Sequence, residues 1–111
     1  MKTKLKNAFN YEMLQAKSAY SNGEYTQAFT HLERAHILGQ SYIIPHTLSH
    51  WWMCKIGFKT HNNKEVIGQF MRIFASVIFS RLWVPKGNTG GTDVNPFKVM
   101  PVPEDLKQYL D

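Results

Sequence analysis

Apolar residues recur every three or four positions through four successive segments, and the breaks between those segments are sharp. Leu5, Phe9, Met13, Ala16 and Tyr20 fall on one stripe. Tyr25, Ala28, Phe29, Leu32, Ala35 and Gly39 fall on a second. Such spacing buries one face of a helix and is incompatible with the two-residue period of a strand. Asn22-Gly23, Gly39 and His61-Asn62-Asn63 are the breaks. The expected class is therefore all-α. Helices are predicted at about 5–21, 24–38, 45–60 and 64–83. They pair as two antiparallel hairpins in a four-helix bundle.

The hairpins form a loose repeat offset by about 40 residues, as in helical-repeat proteins. Tyr20-x-x-Gly23-x-Tyr25-x-x-Ala28 has a tetratricopeptide-like flavour. Two units are fewer than such arrays need. The missing cover falls to residues 85–111, a Pro- and Gly-rich C-terminal tail expected to pack extended across the bundle. Phe97, Val99, Met100 and Val102 are its anchors, and Glu104 to Leu110 allow a closing helical turn or two.

Ser41 to Ile44 reads as a connector, with Pro45 opening the third helix. That helix gathers His46, His50, Met53 and Gly57 on one face, with Lys55 and Lys59 opposite. In the fourth helix, Ile67, Phe70, Met71, Phe74, Val77, Ile78 and Leu82 form the predicted buried face. Glu65, Gln69, Arg72, Ser76 and Ser80 form the predicted wet one.

The chemistry concentrates in Leu32 to Trp52. Glu33 and His36 are three apart, and His46 and His50 are four apart, so each pair shares a helix face. A short break between the two helices lets the pairs converge. Imidazole and carboxylate donors suit zinc, iron, nickel or copper. A single Glu-x-x-His disfavours a di-iron centre, which uses two. The candidate is one mononuclear site of His36, His46 and His50. Glu33 is its fourth ligand, or the acceptor that orients His36. Cys54, a turn from His50, ranks below Glu33 as a soft fourth donor. The competing reading makes the histidines structural and the chain a helical-repeat interaction module. His31 and His61 fall outside the cluster and are expected to be exposed.

A second, weaker candidate is an anion site. Backbone N–H groups of Asn88, Thr89, Gly90 and Gly91 can face an anion, with Arg81 and Lys86 nearby. A structural turn is the plainer reading, and Arg81 also suits capping of the fourth helix. The loop lacks the Gly-Lys-Ser/Thr ending and follows a helix, so no nucleotide cofactor is expected.

From Gly23 onward the chain resembles domain-of-unknown-function family 3703, small uncharacterised bacterial proteins. The residues are Leu32-Glu33-Arg34-Ala35-His36 with Gly39-Gln40, Pro45-His46 with His50-Trp51, and Glu65-Val66-Ile67-Gly68-Gln69. Pro85-x-Gly87-Asn88-Thr89-Gly90-Gly91 and Met100-Pro101-x-Pro103 complete the pattern. The resemblance implies a compact helical protein and carries over no catalytic residue.

Charge and cysteine usage narrow the partners. The 111 residues carry a formal net charge of +5, yet the lysines are scattered beyond Lys2, Lys4, Lys6 and Lys17. No specific nucleic-acid partner is expected. One cysteine, Cys54, permits no internal disulfide, which fits a cytoplasmic location. The N-terminus lacks the apolar run of a secretory signal. Val66 to Val84 is apolar over about a membrane's thickness. Its polar residues cluster on one arc, so no transmembrane span is expected. An unknown protein partner or a homodimer through the helix of Trp51 or of Phe79 is left open.

Overall fold

The computed structural model describes residues 1–79, 87–92, 94–95 and 98–110; for residues 76–79 only the backbone is described. Four helices run in order: α1 (Thr3–Ser21), α2 (Tyr25–Gly39), α3 (Ile43–Lys59) and α4 (Asn63–Phe79). A closing 3-10 helix spans Glu104–Tyr109. Among the described residues there is no strand. The predicted end of the fourth helix at residue 83, and Arg81, Lys86 and Phe97, lie outside the described residues.

Each α-helix packs on its neighbour in sequence, α1 on α2, α2 on α3 and α3 on α4. The two outer pairs are the expected hairpins. Leu5, Phe9, Met13 and Ala16 of α1 meet Ala28, Leu32 and Ala35 of α2, and Met53 and Ile56 of α3 join them. Leu106 of the closing helix is buried in the same core. Arg34 straps these parts together: it donates to Glu12 of α1 and to Asp105 of the closing helix.

Gly39 sets the join between α2 and α3. A Cβ there would lie 2.8 Å from Cβ of Pro45 and 2.9 Å from the Phe9 ring. Without a side chain, the end of α2 and the start of α3 approach closely. α3 begins at Ile43, two residues before the expected start. Pro45 therefore stands in the first turn rather than at its head. Its missing N–H has no intrahelical partner at that position either, so the helix loses nothing.

The fourth helix is turned around relative to the sequence expectation. Ile67, Phe70, Met71 and Phe74 are exposed, while Glu65 and Gln69 are buried. The side chains of Val77 and Ile78 lie outside the described residues, as does Leu82. Among the helices α4 packs on α3 alone. Its inner side also meets Gly90, Gly91 and Val94, through Gln69 and Arg72. That contact surface includes the carbonyls of Gly90, Gly91 and Val94, the Thr92 N–H and the His50 ring, which call for hydrogen-bonding groups.

A candidate metal centre of three histidines

His36 sits in the last turn of α2, directly before the close approach at Gly39. His46 and His50 sit one turn apart at the start of α3. The three side chains meet, and they can hold a metal ion. The Nε2 atoms form a nearly equilateral triangle. His46 to His36 measures 3.0 Å, His46 to His50 3.1 Å, and His36 to His50 3.2 Å. His36 and His50 are 4% and 2% exposed, and His46 is half-buried.

The outer nitrogens fix the protons. His36 Nδ1 lies 2.6 Å from the carbonyl oxygen of Asn88, which can only accept. His36 thus carries its proton on Nδ1 and presents a lone pair at Nε2. His50 Nδ1 lies 2.5 Å from Gln69 Oε1. The Gln69 amide is oriented by its other end, where Nε2 donates to Glu65 Oε2 and to the Gly90 carbonyl, both at 2.9 Å. His50 therefore also presents a lone pair at Nε2. His46 Nδ1 is buried and has no hydrogen-bond partner among the described residues.

Burial pushes all three imidazoles toward the neutral form. His36 falls well below the usual range, through burial first and then the nearness of His50 and His46. His46 is lowered to about 4 by burial. His50 is lowered to about 3 by burial and by His46, against the opposing pull of Gln69.

The glycine loop holds the outer shell. Asn88 is 1% exposed. Its amide donates to the carbonyls of Asn95 and Lys98, both at 2.8 Å, and its Oδ1 accepts the Gly90 N–H. Gly90 adopts φ +85, and a Cβ there would lie 2.6 Å from His36 Cδ2. Only glycine lets the loop lie on that ring at that backbone angle. Arg72 donates to the carbonyls of Gly90, Gly91 and Val94.

The remaining sequence candidates lie elsewhere. Glu33 does not join the triad, and burial raises its pKa. With Glu65, Tyr25 and Phe29 it lines a cleft of about 300 Å³. The role of orienting His36, assigned to Glu33 from sequence, is filled by the Asn88 carbonyl. Cys54 is buried with Sγ 4.0 Å from the Val66 carbonyl. In the glycine loop, the Gly90 N–H is engaged by Asn88 and the Thr92 N–H by Glu65. Arg72 is the cation on that loop in the described residues, and it serves carbonyls. His61 is exposed as expected, whereas His31 is half-buried and bonded to Glu12 at 2.8 Å.

Sequence reasoning assigned Gln69 and Arg72 to solvent and gave Asn88 no metal-site role. The signal was present: Glu65, Gln69 and Arg72 make a polar stripe at helical spacing on a helix that is otherwise apolar.

These features define an all-helical protein with a buried trihistidine cluster between α2, α3, α4 and a glycine loop. The chain belongs to the DUF3703 family, proteins of unknown function, whose family model matches residues 3–110. No curated protein and no solved structure matches it.

Proposed function

We propose that the protein binds a single transition-metal ion through Nε2 of His36, His46 and His50. One observation carries this reading: no assignment of protons satisfies the triangle. His36 and His50 each hold their proton on Nδ1, so their Nε2 lone pairs face each other at 3.2 Å. His46 can offer its one proton to either neighbour, but the edge between His36 and His50 stays unbridged. Adding a proton there would bury a charge without a counter-ion. A cation with three empty orbitals satisfies all three lone pairs at once. Neutral imidazoles whose outer N–H groups are held by a carbonyl and an amide are the arrangement that metal-binding histidines adopt.

The donor set is nitrogen alone, which suits zinc, copper, nickel or iron over calcium or magnesium. The test is titration of the untagged, chelator-stripped protein with zinc, followed by calorimetry and elemental analysis. One equivalent is expected, with binding lost in both His36→Ala and His50→Ala. Wild-type protein that retains no metal at micromolar zinc would overturn the reading.

The outward face of α4 favours a second reading, association with another copy of the chain. Ile67, Phe70, Met71 and Phe74 are 50–69% exposed at helical neighbour spacing. No outward charge interrupts residues 66–75, because Arg72 points inward. The bare patch is on the order of 500 Å², the upper range for monomers. The stripe is self-complementary: a two-fold axis between Phe70 and Met71 sets Ile67 of one copy beside Phe74 of the other. Light scattering after size exclusion tests this. A dimer that Met71→Glu converts to monomer supports it, and a wild-type monomer at 100 μM, an order-of-magnitude choice above usual dimer affinities, rejects it.

A further inference from the structure

The Nε2 triangle is too small to hold a metal in its own plane. Edges of 3.0, 3.1 and 3.2 Å place the triangle's centre about 1.8 Å from each nitrogen, inside the ~2.0–2.1 Å of a zinc–nitrogen bond. A planar three-coordinate ion needs edges of about 3.5 Å at that bond length. An ion at ordinary distance from all three nitrogens stands about 1 Å above the plane. Its three protein bonds then point to one side, and a fourth coordination position on the other side is not taken by any of the three histidines.

The described protein donors near the cluster are committed elsewhere. Glu33 lines the cleft with Glu65. Glu65 accepts from Gln69 and from the Thr92 N–H. The Cys54 thiol faces the Val66 carbonyl across the α3–α4 contact. The three ligands are neutral, and the positive charge of Arg72 acts on both His36 and His50. A divalent ion there carries its charge without an anionic protein ligand among the described residues.

From this geometry we infer that the metal-loaded triad takes a small exogenous anion, such as hydroxide or a carboxylate, at its open coordination position. The inference rests on the metal reading and adds the class of ligand. A three-histidine ion with one exchangeable position is the arrangement of catalytic rather than structural zinc sites. Such an ion lowers the pKa of bound water to about 7 and polarises oxygen ligands.

Cobalt(II) separates the two claims. The stripped, untagged full chain is loaded with one equivalent of cobalt, and its visible d–d spectrum is recorded. Sodium azide is then titrated in, with acetate as a second probe. A saturable change of the bands with azide, at unchanged cobalt stoichiometry, is the expected result. Bound cobalt whose spectrum ignores both anions overturns this inference and leaves the metal reading standing. No cobalt binding at all removes both. Three variants check for a protein fourth ligand: Glu33→Gln, Cys54→Ser and Asp93→Asn, the last lying outside the described residues. Each is expected to keep the wild-type cobalt spectrum and azide response. A variant that changes the spectrum of the azide-free form identifies that side chain as the fourth ligand and overturns the inference.

Discussion

At the scale of single residues, the triad makes a pH-dependent statement about the metal-free protein. Unfolded, each histidine titrates near its ordinary 6.5; folded, His46 is lowered to about 4 and His50 to about 3. Above pH 6.5 neither state binds the proton, and the difference contributes nothing. As pH falls below 6.5, the unfolded chain takes up protons that the buried rings refuse, so folding stability falls. Each histidine contributes a slope of at most about 1.4 kcal/mol per pH unit in that window. Urea unfolding in chelator at pH 7.5 and at pH 5.5 measures it, and a lower midpoint at pH 5.5 is expected. Equal midpoints would show that the rings protonate freely in the fold. Gln69 is the residue that couples this site to α4. Gln69→Leu keeps the volume but leaves the His50 Nδ1–H without its acceptor and removes one of the two donors to Glu65. A loss of about 1–3 kcal/mol in stability is expected. Metal affinity should weaken by roughly 10–100-fold, because the ring loses the group that orients it. Calorimetry on the folded variant reads the second effect separately from the first.

At the scale of elements, α1 and α2 were legible in the sequence to within two residues, because their stripes bury against each other without competition. α3 was legible except at its start, where Ile43 and Ile44 read as connector because Pro45 looked like the first helical residue. The face of α4 was not legible. Periodicity reports that a helix has two unlike faces, and the core side is then taken to be the apolar one. Here the inner side must satisfy His50, the Gly90 carbonyl and the Thr92 N–H, and apolar residues cannot do that. The three histidines were legible together, since i and i+4 on α3 give His46 and His50 a shared face and the short break brings the end of α2, with His36, beside them. Asn88 was not legible as the residue that orients His36, because its carbonyl acts and a sequence carries no sign of which carbonyl that will be. The join of α1, α2 and the closing helix depends on Glu12, which is 5% exposed and accepts from His31 at 2.8 Å and Arg34 at 3.1 Å. Glu12→Ala should cost about 1.5–3 kcal/mol, the range for charged hydrogen bonds, since both partners keep some access to water. Metal stoichiometry should stay at one. A stability loss accompanied by loss of the metal would show that the strap and the site are not independent.

At the scale of the molecule, the triad lies where α2, α3, the glycine loop and, through Gln69, α4 come together. α1 and α2 share an apolar core with α3 and the closing helix. Among the described helices α4 touches α3 alone, and it meets the loop through hydrogen bonds of Gln69, Arg72 and Glu65 and through Gly68 against the Thr92 side chain. The loop reaches α2 through the bond from His36 to Asn88. A metal on the triad therefore ties α2 directly to α3, and through Asn88 and Gln69 it tightens the loop and α4. A ligand bound only by the folded form stabilises it by mass action, about 2.7 kcal/mol at a hundredfold excess over the dissociation constant. That stabilisation should be unevenly distributed. Hydrogen exchange with and without saturating zinc is the measurement. Amides of α4 and of residues 88–92 should exchange more slowly with zinc, because their local opening breaks the outer shell of the site. Amides of α1 at Phe9, Met13 and Ala16 should change little, since that core does not involve the triad. His50→Ala should erase the zinc effect while leaving α1 protected. Uniform slowing across all four helices would instead show that the molecule opens as one unit and that α4 is not held through the site.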